Sequence, residues 1–366
     1  MVEVRLEGVT KRFEEVLAVD EASFAVGEGE FLALVGPSGC GKTTILRLIA
    51  GFERPDSGEI LFDGKSVLGL PPEARRVGMV FQNYALFPHM TVAENIAYGL
   101  RGRRRTDHRK RVEELLRLVG LEGLEQRSPG ELSAGQRQRA ALARALAPEP
   151  RLLLLDEPLS ALDAKLRERL RLEIRRLQRE LRVTTIYVTH DQEEALAISD
   201  LVAVMSSGRI EQVGSPWEVY NRPGTEFVAS FIGRGNLLEG VVTEVSARGI
   251  EVRLMPQGPE IVVSAGAGES SCYRAGQAAK LLIRPERIRL DGSLENRLRA
   301  RLKGVEFLGD SSWAYLDWAG QELRVKLAGA TGPAEGEEVE LSFASSDCYL
   351  IPISPRPPGS APGHGG

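Results

Sequence analysis

One stretch constrains this chain more than any other: Gly36-Pro37-Ser38-Gly39-Cys40-Gly41-Lys42-Thr43, with Thr44 behind it. The apolar run Phe31–Val35 leads directly into it, and a helical pattern, Thr44–Ile49, leads directly out. Gly36, Gly39 and Gly41 let the main chain curl until successive N–H groups point inward at an anion. The helix that starts there adds its positive N-terminal end. Lys42 can then reach the β- and γ-phosphates of a nucleotide, and the Thr43 hydroxyl can hold Mg²⁺. A glycine-rich surface turn with a chance lysine is the plain alternative. Strand before and helix after are the context that gives the pattern a mechanism.

A second run points the same way. Leu152–Leu155 passes straight into Asp156-Glu157-Pro158. Two carboxylates at the mouth of a buried strand are costly unless something uses their charge. Asp156 is placed to bind Mg²⁺, and Glu157 to accept a proton from an attacking water. Taken alone the pair also fits a solvated turn, but the upstream cradle favours chemistry.

Around these motifs short apolar runs alternate with helical patterns up to about Ile232. Phe31–Val35, Val77–Phe81, Leu152–Leu155, Thr184–Thr189 and Leu201–Met205 read as buried strands. Leu166, Leu170, Ile174, Leu177 and Leu181 recur every three or four residues, as one face of a helix does. That alternation predicts an α/β domain on a largely parallel sheet, with a helical insert where strand signals vanish between Asp107 and Gln138. After about Arg234 the texture changes to short Val- and Leu-rich runs divided by Gly, Pro or Ser. They lie at Leu238–Val245, Ile250–Leu254, Glu260–Val263, Lys280–Arg284, Val305–Leu308, Ala314–Trp318, Leu323–Leu327 and Val339–Phe343. A small β-barrel or sandwich is expected there. The Pro/Gly-rich residues 354–366 are expected to be disordered.

Composition narrows the function. The charge is 47 − 51 = −4, so no global basic field recruits nucleic acid, and the basic run Arg101–Arg111 reads as a solvated helical face. The three cysteines show no metal-ligand spacing and fit a reducing compartment. The N-terminus has no apolar core, and no apolar run approaches the roughly 20 residues of a membrane span. The chain is therefore expected in the cytosol, and any work at a membrane needs a span from another chain.

At Leu132-Ser133-Ala134-Gly135-Gln136 the sequence resembles the signature motif of ATP-binding cassette (ABC) ATPases, with Ala134 where that family usually has Gly. Further pieces stand in the family's order over about residues 1–232. Gln82 resembles the Q-loop glutamine, Ser160-Ala161-Leu162-Asp163 the D-loop, and His190 the switch histidine. Phe13 stands where the family places an adenine-stacking aromatic. The resemblance implies an α/β P-loop NTPase fold in residues 1–232, with a helical subdomain at about 83–150. It implies ATP and Mg²⁺ as cofactors. Residues 36–44, from Gly36 to Thr44, together with Phe13, would hold nucleotide in one copy, Ser133, Gly135 and Gln136 would act on nucleotide held by the opposite copy, and Asp163 of the D-loop would also bind nucleotide. Thr43, Gln82 and Asp156 would serve the metal, and Glu157, His190 and Gln82 catalysis.

Residues 233–353 resemble the regulatory TOBE-like domain of importer ATPases, an all-β OB-like barrel, through Phe231-Ile232-Gly233, Asn236 and Ile283-Arg284-Pro285-Glu286. The resemblance implies a head-to-tail homodimer, or a pair with a close paralogue, at the cytoplasmic face of the inner membrane. It would drive an integral-membrane permease and serve an extracytoplasmic solute-binding protein indirectly, without nucleic acid. Tyr84–Met90, rich in large apolar groups, would be core in a soluble monomer; in the family it would instead, with the helical insert, be an exposed apolar patch beside Gln82 that helps receive the permease. Phe231–Leu238 and Asn83–Met90 look most like importers of ferric iron or polyamines. A soluble ABC ATPase acting on ribosomes or DNA is the alternative. It calls for a second cassette or a long coiled-coil insertion.

Overall fold

The computed structural model describes residues 1–100, 105–266, 270–329 and 333–351. They form two compact units, one of Met1–Trp217 and one beginning at Glu218. The expected tail, residues 354–366, lies outside the described residues, as does the start of the basic run, residues 101–104. Among the described residues no helix is long and apolar enough to cross a membrane.

The strands of the first unit are β1 (Val4–Phe13), β2 (Val16–Val26), β3 (Phe31–Val35), β4 (Ser57–Phe62), β5 (Lys65–Ser66), β6 (Val77–Val80), β7 (Leu152–Asp156), β8 (Thr184–Thr189), β9 (Leu201–Ser206) and β10 (Arg209–Gly214). Its helices are α1 (Lys42–Ala50), α2 (Val92–Tyr98), α3 (Arg105–Leu118), α4 (Ala134–Leu146), α5 (Ala164–Leu181) and α6 (Gln192–Ile198). A six-stranded sheet runs β10-β9-β3-β8-β7-β6, parallel throughout except for the β10 edge. Every residue of β3, β7 and β8 is buried, so these strands read as unbroken apolar runs rather than as alternation.

The two faces of this sheet nevertheless divide strictly by parity. Phe31, Leu153, Leu155 and Tyr187 enter one core with residues of α2, α3, α4 and α5, among them Ile96, Leu115, Ala140, Leu170 and Ile174. Leu32, Leu34, Leu152, Leu154, Ile186 and Val188 enter the other, with Ile45 and Ile49 of α1. That second core is closed by an antiparallel sheet, β2-β1-β4-β5, through Val4, Leu6, Phe24 and Ile60. Nothing in the sequence reading anticipated this antiparallel sheet. Register shifts break the β1–β2 pairing at three places, which blurs the period-two signal. All three helices α2, α3 and α4 lie in the chain between β6 and β7, where the helical insert was expected.

The second unit follows two short helices, α7 (Pro216–Asn221), within which the division falls, and α8 (Glu226–Phe231). Its strands are β11 (Asn236–Ser246), β12 (Gly249–Leu254), β13 (Glu260–Val263), β14 (Ala278–Ile283), β15 (Asn296–Phe307), β16 (Ser311–Trp318), β17 (Gln321–Ala328), β18 (Glu338–Phe343) and β19 (Cys348–Ile351). They form antiparallel sheets β13-β12-β11-β14-β19 and β17-β16-β15-β18, sharing one core that contains Leu238, Val252, Leu298, Leu316 and Leu341. The expected all-β, OB-like second domain is thus present. Strand β15 begins at Asn296 rather than near Val305, because its exposed positions are Arg297, Arg299, Arg301 and Lys303. Their charge interrupts the alternate apolar set Leu298, Ala300 and Leu302, so this half of the strand is no continuous apolar run.

Candidate functional site

The cradle is the turn between β3 and α1. Helix α1 starts at Lys42, two residues ahead of the expected Thr44, with Gly41 as its N-cap at φ 109°. A Cβ on Gly36 would lie 2.2 Å from the Met205 carbonyl oxygen, and one on Gly41 2.2 Å from that of Ala18. Only glycine fits at either place. Pro37, Ser38 and Gly39 form an exposed crown, while Cys40 is buried and its thiol is pushed up by that burial. Helices α2, α4, α5 and α6 are capped by the side chains of Thr91, Ser133, Asp163 and Asp191. Helix α1, among the described residues, has no side-chain cap and no acid in its first turn. Its first N–H groups are left for an external acceptor. Lys42 Nζ is folded onto the carbonyl oxygens of Gly36, at 2.7 Å, and Pro37, at 2.9 Å. A buried ammonium resting on two neutral carbonyls is a cation short of an anion, so the residues present fit a polyphosphate.

The acids stand beside it. Thr43 Oγ1, half-buried, donates to Asp156 Oδ1 at 3.0 Å. Burial, ahead of every other influence, raises the Asp156 carboxyl above the ordinary aspartate range. A hydroxyl and a carboxylate are hard oxygen donors and fit Mg²⁺. Glu157 adopts φ 44°, a left-handed backbone that non-glycine residues avoid, and its N–H donates to Val188 O at 3.0 Å. The carboxylate that this bend presents accepts from Gln82 Nε2 at 3.3 Å and lies 3.2 Å from His190 Nδ1.

Topology explains the convergence. Because β6, β7 and β8 are parallel neighbours, their carboxyl ends lie at one sheet edge. Gln82 follows β6, Asp156 and Glu157 end β7, and His190 follows β8. The cradle follows β3, which pairs with β8.

The remaining expected residues lie outside this cluster. Ser133 and Gln136 bond each other: Gln136 N donates to Ser133 Oγ at 3.3 Å, and Ser133 N to Gln136 Oε1 at 2.9 Å. Gly135 is buried on α4, where an added Cβ would lie 3.3 Å from the Leu166 methyl carbons. Asp163 caps α5 through Leu166 N at 3.0 Å. Phe13 ends β1 and is 40% exposed, and Lys11 Nζ lies 5.1 Å from its ring centroid.

The family model described as ABC transporter matches residues 19–160, and the one described as TOBE domain matches residues 281–351. A protein named spermidine/putrescine import ATP-binding protein from Rubrobacter xylanophilus is 49% identical over 359 residues, 96% of this chain and 94% of that one. The chain belongs to the ABC transporter ATPase family. It is an importer-type ATPase with a TOBE domain. A protein of the same import name from Pseudomonas aeruginosa is 46% identical over 95% of this chain and 98% of its own length. A bacterial ABC transporter cassette solved as a dimer superposes with a TM-score of 0.53 at 32% identity, covering 58% of this chain and 98% of that one.

Two features of this ABC ATPase differ from the sequence expectation or escaped it. Tyr84–Met90 is far less of an exposed patch than the family resemblance implies. Tyr84 is buried, Leu86 packs on the helical core, and Phe87 lies against Tyr98 with ring centroids 4.5 Å apart. Exposed aromatic surface next to Gln82 comes instead from Phe81 and Phe52, whose centroids are 6.2 Å apart. Arg144 of α4 was not singled out at all. It donates to Tyr84 O at 2.9 Å and Ala85 O at 2.5 Å, holding two residues at positive φ. An arginine on an otherwise alanine-rich, buried helix face was the available signal.

Proposed function

We propose that this ABC ATPase powers polyamine import by closing two copies, head to tail, on two molecules of ATP and Mg²⁺. The observation that carries the catalytic assignment is the meeting of Gln82 and His190 on the carboxylate of Glu157, one residue beyond Asp156 and its bond to Thr43. In this reading the backbone of residues 36–44 and the free end of α1 bind the phosphates, and Lys42 leaves its carbonyl partners for the β- and γ-oxygens. Phe13 stacks on adenine. Thr43, Asp156 and Gln82 would hold Mg²⁺, which when bound offsets the phosphate charge. Glu157 takes the proton of the attacking water, and His190 orients Glu157 and the γ-phosphate. A positioned base of this kind contributes roughly 10²–10⁴-fold.

Ser133, Gly135, Gln136 and Asp163 serve the nucleotide of the opposite copy. Their separate hydrogen bonding within one chain supports that division of labour. The partner is a second copy or a close paralogue. Both bear on an integral-membrane permease at the cytoplasmic face of the inner membrane, with an extracytoplasmic solute-binding protein as the source of cargo. The name shared by the relatives from R. xylanophilus and P. aeruginosa favours a polyamine over ferric iron. The net charge of −4 favours transport over action on nucleic acid.

The test is uptake of labelled spermidine by vesicles holding this ATPase with its permease. ATP-dependent uptake, abolished by Lys42→Ala, is expected. Spermidine uptake that persists with Lys42→Ala in place would refute the coupling, and uptake of ferric iron alone would refute the cargo.

A further inference from the structure

We infer that Arg167, in the first turn of α5, is a positioning residue for hydrolysis: its guanidinium holds His190 in register with the turn that ends at Asp163. The inference rests on the role proposed above for His190.

The geometry is a fork across two loops. Nη2 of Arg167 donates to Leu162 O at 3.1 Å, immediately before Asp163, whose own carboxylate caps α5. Nη1 donates to Asp191 Oδ2 at 3.1 Å, immediately after His190. Asp191 is fixed from its other side, since Oδ1 accepts the N–H groups of Glu193 at 2.9 Å and Glu194 at 3.2 Å. Behind it Glu194, only 3% exposed, accepts the hydroxyls of Tyr187 and Thr189, each at 2.7 Å, and Arg167 Nε stands 3.7 Å from its other oxygen. The His190 side chain is itself 51% exposed and meets Glu157 at the ring. Its backbone is held on one side by the pairing of β8 up to Thr189 and on the other by the set of bonds around Asp191. Arg167 and Asp191 also border a small cleft shared with Glu157, Ser160 and His190.

The Arg167 and Asp191 side chains are 30% and 26% exposed and Glu194 is buried, so losing Arg167 costs stability as well, and it is kcat read apart from nucleotide protection that distinguishes a positioning role. A planar fork reaching two loops sets their relative position, which a lysine's single ammonium cannot do. A misplacement of about 1 Å at a reacting group can cost on the order of 10²-fold.

The test uses the full chain and reads kcat, KM and ATP-dependent thermal protection. Arg167→Met is expected to keep KM and protection within about twofold while kcat falls roughly 10- to 100-fold. Arg167→Lys should restore only a minor part of kcat. In the double variant Arg167→Met/His190→Ala, turnover should match that of His190→Ala alone, because Arg167 acts through His190. Should Arg167→Met fail to fold, Asp191→Asn takes its place: asparagine still caps α6 but weakens the ion pair. It should show the same loss of kcat and the same lack of further effect on His190→Ala. Wild-type kcat in Arg167→Met, or losses that multiply in the double variant, overturn the inference. Wild-type turnover in His190→Ala defeats the reading of His190 itself, a result distinguishable from the first.

Discussion

The hydroxyl of Thr43 donates a 3.0 Å hydrogen bond to Asp156 across 113 positions of sequence. Thr43 lies in the first turn of the helix after the cradle, and Asp156 closes a buried strand, so the bond joins the phosphate cradle to the acid pair. It also leaves a carboxylate in a poorly solvated place, and folding raises its pKa through burial. A carboxyl raised on folding favours the native state when protonated, and this advantage is lost as pH climbs through the raised value. At neutral pH the ionised Asp156 therefore lowers stability. Asp156→Asn keeps an acceptor for Thr43 and removes the charge. Nucleotide-free, it should melt at a higher temperature than the unsubstituted chain at neutral pH. The gain should shrink as the pH is lowered, while ATPase activity disappears. Equal melting temperatures across the pH range would contradict this account.

Glu157→Gln keeps the bend and one acceptor oxygen but cannot take a proton. ATP binding should survive with turnover lower by roughly 10²–10⁴. Size-exclusion chromatography with ATP should show an accumulated dimer, because hydrolysis is what reopens it. Normal turnover would mean that the base lies elsewhere.

Lys42→Ala removes the buried ammonium now resting on Gly36 and Pro37. The rise in melting temperature caused by ATP should largely vanish. Phe13→Ala should weaken ATP more mildly, since one stacking contact is worth about 1–3 kcal/mol. An intact ATP shift in both variants would place the nucleotide outside the cradle.

The shared-site arrangement is tested by heterodimers purified through two different tags. Pairing a Ser133→Arg chain with a Lys42→Ala chain leaves one complete composite site. Placing both changes on one chain, opposite wild type, leaves none. ATPase activity is expected in the first pairing and not in the second. The reverse order would mean that each site is built within one chain.

In the second unit, Arg284 is 3% exposed and ties down α7 and α8. It donates to Ile232 O at 2.8 Å and to Tyr220 O, and its guanidinium carbon stands 4.0 Å from the centroid of the Tyr220 ring. Burial and the nearby Glu286 carboxylate push the Tyr220 phenol up to about 12. Arg284→Met would strand buried carbonyls, at about 1–3 kcal/mol apiece. Hydrogen exchange should then quicken over residues 218–232, with the first unit's ATPase site unchanged. Unaltered exchange would show that α8 is held by its apolar contacts alone.

What the sequence settles by itself is whatever is written locally. The cradle needs three glycines, a lysine and a threonine at fixed spacing between a strand and a helix, and each of those signals spans a few residues. Buried parallel strands announce themselves as apolar runs, and α5 as a three-four repeat, since both patterns follow from backbone periodicity. Tertiary structure alone decides what depends on where distant segments arrive. Glu157 could be read as a base, but not that Gln82 and His190, from the strands before and after it, would meet on its carboxylate. That Arg167 would bridge Leu162 and Asp191, or that Arg144 would hold Tyr84 and Ala85, was equally silent. The antiparallel sheet β2-β1-β4-β5 and the first half of β15 escaped for a related reason. Strands with one face in solvent carry polar and charged residues at every other position. Only pairing with a partner strand reveals which alternate positions form the core.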